Sequence, residues 1–192
     1  MEGSMSAVFT ATRHKLTVAA YHDLGATGHL TEDDRVELIE GELIDMAPIG
    51  GPHLTSVNRL NMFFARSIGD RGIVSVQNPV ILGRHSEPQP DLVILAPHMN
   101  ARDAGVSIPK DVLLLIEVSD TTVAYDRGTK LPLYVRHGLE DVWLFNLRSD
   151  RIEVYRAPTA AGYAPMREIG PGESIAMLAL PDVRLAWETV FA

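Results

Sequence analysis

The run Val112-Leu113-Leu114-Leu115-Ile116 constrains the fold most, because apolar residues without alternation mark a strand covered on both faces in the middle of a sheet. The next residue is Glu117. Side chains alternate along a strand, so Leu113, Leu115, Glu117 and Ser119 are expected on one face and Leu114, Ile116 and Val118 on the other. A carboxylate in such a strand must be paired, hydrogen-bonded, metal-bound or protonated, unless it lies at the strand end and meets solvent or an arginine.

Around this strand the pattern alternates between helix and strand periods. Thr17 reads as the N-cap of a short helix from Val18 to Leu24, stopped by Gly25 and Gly28. Residues 35–46 form two short runs with Glu40-Gly41 between them, which predicts a β-hairpin. From His53, Leu54, Val57, Leu60, Phe63, Phe64 and Ile68 recur at helical spacing up to Gly69. Strands are expected at Ile73–Leu82, Asp91–Leu95 and Val112–Ser119, then a helix over 123–137 closed by His137-Gly138. Two more strands, Asp141–Leu147 and Arg151–Arg156, are joined by Arg148-Ser149-Asp150. The tail from Ala157 to Ala192 is expected to add short edge strands and an irregular end. Neither a repeat nor a low-complexity tract interrupts the chain, so residues 17–192 are expected to form one domain with its core at 34–156, after a flexible N-terminus at 1–16.

Composition removes several classes of function. The 192 residues contain no cysteine, which excludes a disulfide framework, thiolate metal sites and cysteine nucleophiles, and points to a reducing, cytoplasmic setting. No window has the length of apolar sequence that a membrane helix needs. The net charge of -8 works against non-specific binding to nucleic acid, which depends on Lys and Arg releasing counterions. The charge is uneven: residues 32–45 hold Glu32, Asp33, Asp34, Glu37, Glu40, Glu42 and Asp45 against Arg35 alone, whereas bases slightly outnumber acids over 123–156. The second region could meet a phosphate backbone; the first could not without metal.

Asp91 complements Glu117. It follows Glu87-Pro88-Gln89-Pro90 and opens the strand Leu92-Val93-Ile94-Leu95, its approach stiffened by two prolines. Two carboxylates on neighbouring strands suit a hard cation, since Mg²⁺ commonly takes one or two carboxylates together with waters and substrate phosphate. Lys130 is the third candidate. An ammonium there would neutralise charge building on a phosphorane-like transition state, or would only form a surface ion pair with Asp126 one helical turn away. His53 opens a helix after Gly50-Gly51-Pro52 and could touch phosphate or serve as a local cap; the other histidines lack zinc-type spacing. Trp143 and Phe145 alternate with Leu144 as core residues do.

Several segments together resemble a known family. Glu37-Leu38-Ile39-Glu40-Gly41-Glu42-Leu43, Pro48 and His53, Pro90-Asp91, Leu115-Ile116-Glu117-Val118-Ser119, the run from Asp126-Arg127-Gly128-Thr129-Lys130 to Tyr134, and Glu140-Asp141-Val142-Trp143-Leu144 are similar to the Uma family of restriction-endonuclease-like proteins, in the PD-(D/E)xK nuclease superfamily. The likeness spans about residues 17–156. It implies an α/β (α+β) fold with a mixed β-sheet flanked by helices, preceded by the N-terminal β-hairpin. It also implies that Asp91 and Glu117 occupy the two acidic motif positions, with Mg²⁺ or Mn²⁺ as cofactor; Glu37 could add a ligand or orient a water, or be one exposed hairpin acid among several. The superfamily lysine two residues after the glutamate is here Ser119, and the family supplies its lysine from the following helix, at Lys130.

The resemblance therefore implies a metal-dependent nuclease that cleaves phosphodiester bonds in DNA, with Asp91, Glu117 and Lys130 catalytic and Asp91 and Glu117 holding the metal. Folds of this class pair to set two sites across a duplex, so a homodimer is expected on that ground. The competing reading is a catalytically inactive nucleic-acid-binding or protein-assembly module on the same fold. The acidic charge favours the module, and the retained Asp, Glu and Lys favour the nuclease. Hydrolysis of a small phosphate ester is a third reading.

Overall fold

The computed structural model describes residues 13–31, 33–97 and 107–192. Helix α1 (Val18–Ala26) starts where Thr17 Oγ1 accepts the Ala20 N–H at 3.1 Å, and it continues through Gly25 to end at Thr27. Strands β1 (Val36–Ile39) and β2 (Glu42–Asp45) form the hairpin, with positive φ at Glu40 and Gly41 as a tight two-residue turn requires. A Cβ at Gly41 would lie 2.5 Å from Lys15 Cβ, because the preceding chain crosses this turn and Leu16 N–H donates to the Gly41 carbonyl at 3.0 Å. Of the N-terminus expected to be flexible, residues 1–12 lie outside the described residues.

Helix α2 (Gly51–Ile68) begins two residues before His53, with Pro52 in its first turn where a missing N–H costs nothing, and it stops at Gly69 with φ 57°. The main sheet has six strands in the order β3-β4-β5-β6-β7-β8: Ile73–Val76, Leu92–Leu95, Val112–Ser119, Asp141–Asn146, Arg151–Arg156 and Arg167–Ile169. All neighbours are antiparallel except β5 and β6. That parallel pair needs a crossover, supplied by α3 (Val123–Tyr125), a π-helical turn (Asp126–Lys130) and α4 (Leu131–Arg136). Beyond the sheet, β9 (Ser174–Ala176) and β10 (Arg184–Ala186) pair with each other, and α5 (Glu188–Phe191) closes the chain. No helix among the described residues is long and apolar enough to cross a membrane.

Two apolar layers sandwich the sheet. On one face, Val57, Leu60, Phe64 and Ile68 of α2 pack on Leu92, Ile94, Leu114, Ile116, Trp143 and Phe145, joined by Ile175, Leu185 and Val190 from the tail. On the other, Leu131, Leu133 and Tyr134 of α4 and Ile39 of the hairpin pack on Val93, Leu95, Leu115, Val142 and Leu144. The central position of β5 and the alternation of Trp143 with Leu144 follow the sequence pattern. Burying both faces of β5 accounts for its lack of polar alternation.

Two strand expectations need correction. The strand expected at Ile73–Leu82 ends at Val76, because Gln77 takes φ 50° and Pro79, without an N–H, cannot extend the ladder. Leu113 does not share a face with Leu115: the register passes from Ile94 opposite Leu114 to Leu95 opposite Val112, so Leu113 is the extra residue of a bulge and packs with Leu114 on the α2 side.

Candidate active site

Strand pairing brings Asp91 and Glu117 level. Leu92 stands opposite Ile116 in the antiparallel β4–β5 register, so Asp91, one residue before β4, faces Glu117, one residue further along β5. Asp91 is tied to β5 through Oδ2, which accepts the Val118 N–H at 2.9 Å. Its Oδ1 meets His53 Nε2 at 3.0 Å and the Gln77 amide at 3.4 Å. The hydrogen bond to Asp91 raises the His53 pKa, against burial and the charge of Arg35, and His53 Nδ1 is buried without a hydrogen-bond partner.

Glu117 is neither exposed nor paired with an arginine. Its Oε1 accepts from Tyr134 Oη at 2.5 Å and from Lys130 Nζ at 3.2 Å. The Lys130 side chain is 8% exposed, and its ammonium also lies 3.1 Å from Glu37 Oε2. Glu37 is fixed by the Gln89 N–H at 3.1 Å and by Tyr125 Oη at 3.4 Å. Burial pushes the Glu117 carboxyl up to about 8, with Lys130 opposing and Asp126 and Asp91 adding to the rise. Burial acts to lower the Lys130 pKa, but the carboxylates of Glu117 and Glu37 outweigh it and hold the ammonium charged.

Asp126 does not make the surface ion pair considered for it. It is buried, and its Oδ2 accepts from Ser119 Oγ and Thr122 Oγ1, both at 2.7 Å. The places of Tyr134 and Asp126 beside Glu117 and Ser119, and of Arg35 on the cavity wall, were not read from the sequence. The spacing of Asp126 and Tyr134, four on either side of Lys130, was a signal of a shared helix face, but charge and core reading absorbed it.

Asp91, Glu117, Lys130, Glu37 and His53 thus line one cavity of about 420 Å³, bordered by the hairpin and the start of α2. Asp45, Asp120 and Asp126 add to its acidity, and Arg35 is the other cation on its wall. Arg35 forms no ion pair among the described residues; its guanidinium makes one long contact, 3.4 Å, to the Ala47 carbonyl. The bases of 123–156 are mostly committed within the protein: Arg127 to Glu153, Arg136 to Glu40, Arg148 to Asp120 and Arg156 to Asp141. Of the bases in this segment, only Lys130 lines the cavity. Among the described residues no three His, Asp or Glu side chains converge closely enough to hold a metal ion by themselves.

A six-stranded mixed sheet between helices, with a hairpin over one end, is the arrangement that the resemblance to restriction-endonuclease-like proteins implies. The family model Uma2, described as "Putative restriction endonuclease", matches residues 18–188, and the chain belongs to that family. A solved structure with the same fold is that of a "putative nuclease belonging to DUF820" from Anabaena variabilis ATCC 29413. The two align with a TM-score of 0.73 over 92% of this chain and 97% of that one, at 17% identity, which shows the fold alone. No curated protein matches the chain.

Proposed function

We propose that the chain is a Mg²⁺- or Mn²⁺-dependent nuclease hydrolysing phosphodiester bonds, with DNA as substrate. The observation that carries this reading is the convergence of Asp91, Glu117 and Lys130 on one open cavity in a chain of the Uma2 family. The donor set fits a hard cation: Asp91 and Glu117 face each other as oxygen ligands, and two carboxylates suffice when waters and substrate phosphate complete the shell. Glu117 Oε1 is held by Lys130 and Tyr134, which leaves Oε2 as the oxygen to offer. A bound divalent cation supplies Lewis acidity toward the phosphoryl group and activates water. Lys130, held charged between Glu37 and Glu117, sits where negative charge on a reacting phosphate would be met by a fixed ammonium. Arg35, without a carboxylate partner among the described residues, is the side chain left to grip a phosphate as it enters a mostly acidic cavity.

The test is a divalent-cation titration. Mg²⁺ or Mn²⁺ that binds the folded site stabilises it by mass action, so the melting temperature of the native protein should rise and that of Asp91→Asn should not. Plasmid nicking should appear in the same cation range. A melting temperature unchanged by the cation together with intact plasmid would move the assignment to a non-catalytic assembly module, which the internal pairing of the basic residues favours.

Arg35→Ala is expected to raise KM for a short duplex by about tenfold with kcat little changed, since it removes binding common to ground and transition states. The slope of log affinity against log salt should also fall by about one. An unchanged slope would place Arg35 away from the phosphates.

A further inference from the structure

Building on the assignment of Lys130 to transition-state charge, we infer that Ser119 and Asp126 are positioning residues that aim Lys130. A lysine stem is flexible along its four carbons, so an ammonium is held at one point only if the backbone beneath it is fixed. Here that backbone is a π-helical turn: the Leu131 N–H reaches back five residues to the Asp126 carbonyl. Pro132 gives the reason for the widening, since it offers no N–H to Gly128 and its ring would press on that carbonyl in a regular helix. One extra residue in a turn rotates the downstream side chains by about 100°. Lys130 meets Glu117 and Glu37 only in the phase this insertion sets.

The phase is pinned at its first residue. Thr122 precedes the helix but caps none of its amides; its hydroxyl turns instead to Asp126 Oδ2, which Ser119 Oγ also reaches. Ser119 is fully buried at the end of β5, two residues beyond Glu117. The strand that carries the acid is thereby joined by a side-chain bond to the turn that carries the lysine. This gives the Ser119 departure a physical content: at the position where the superfamily pattern has its lysine, a hydroxyl holds the helix that supplies the lysine instead. Asp126 acts as a fixed acceptor, and an amide oxygen should serve the same purpose.

Lysine ammonium signals in ¹H–¹⁵N spectra read the geometry without reference to activity. The chain has Lys15, Lys110 and Lys130 only, so Lys130→Arg identifies the buried signal. Ser119→Ala and Asp126→Ala should shift or broaden it and lower kcat for plasmid cleavage about tenfold, with KM within about twofold. Asp126→Asn, which keeps the acceptor and loses the charge, should return both readouts to near native values. An unmoved ammonium signal in Ser119→Ala, or an Asp126→Asn as impaired as Asp126→Ala, would overturn the inference. Should Asp126→Ala fail to fold, Ser119→Ala and Asp126→Asn still decide it. Absence of cleavage by the native protein would refute the nuclease reading while the ammonium signal still tests the positioning.

Discussion

Lys130→Met is expected to reduce cleavage by a factor on the order of 10² or more while divalent-cation affinity holds or rises. The separation of the two effects comes from where the ammonium lies. It sits 3.2 Å from one of the proposed metal carboxylates, so its charge opposes a cation at Glu117 even as it would favour the transition state. Glu117→Gln should behave differently, because the amide keeps the shape but not the charge: metal binding and cleavage should fall together. The comparison is made by single-turnover nicking with Mn²⁺ and by calorimetry, at low salt, since an acidic protein meets phosphate slowly. Removing Lys130 leaves Glu37 buried without its cation, a loss of about 3–5 kcal/mol, and pushes the Glu117 carboxyl further up. Melting curves with and without Mg²⁺ therefore accompany the kinetics, and the cation should recover part of the lost stability. Equal cleavage by native, Lys130→Met and Glu117→Gln proteins would show that the activity comes from a contaminant.

The elements that could be read from the sequence are those whose signals are local. The Thr17 cap, the Glu40-Gly41 turn, the period of α2 and the two-sided apolar run of β5 each need only their own few residues to specify them. What escaped depends on partners distant in the chain. The bulge at Leu113 arises from pairing with β4, and the positive φ of Gln77 that ends β3 is accompanied by a bond from the distant Gln89 amide to the Gln77 carbonyl. The candidate site divides the same way. Glu117 stood out because charge in an apolar strand violates a local rule, whereas Asp126 and Tyr134 sit in a helix where a carboxylate and a phenol are ordinary until the Ser119 and Glu117 side chains are seen against them. The basic character of 123–156 was real as composition, but its effect on the surface depended on Glu153, Glu40, Asp120 and Asp141, which no window of sequence ranks as partners.

Asp141→Ala is expected to cost about 3–5 kcal/mol of stability. Its carboxylate is 1% exposed and collects four donors: Arg156 Nε at 2.7 Å and Nη2 at 3.1 Å, Trp143 Nε1 at 2.8 Å and the Leu178 N–H at 2.8 Å. Truncation would strand a guanidinium, an indole N–H and a backbone amide with one loss, and each buried donor left unsatisfied carries its own desolvation cost. Those donors belong to β6, β7 and the chain leading from β9, and Arg156 Nη2 further donates to the Ala176 carbonyl at 2.5 Å. Asp141 is thus the point where the tail is fastened to the sheet. For a chain of this size the loss corresponds to a fall in melting temperature of roughly 6–20 °C. Asp141→Asn, which keeps one acceptor oxygen, should fall between the native protein and the alanine variant. Hydrogen exchange should localise the change: amides of 174–186 should lose protection in Asp141→Ala before those of β5 do. A variant that melts within a degree or two of native, or that loses protection first in β5, would show that the tail is held by its apolar contacts and not by this carboxylate.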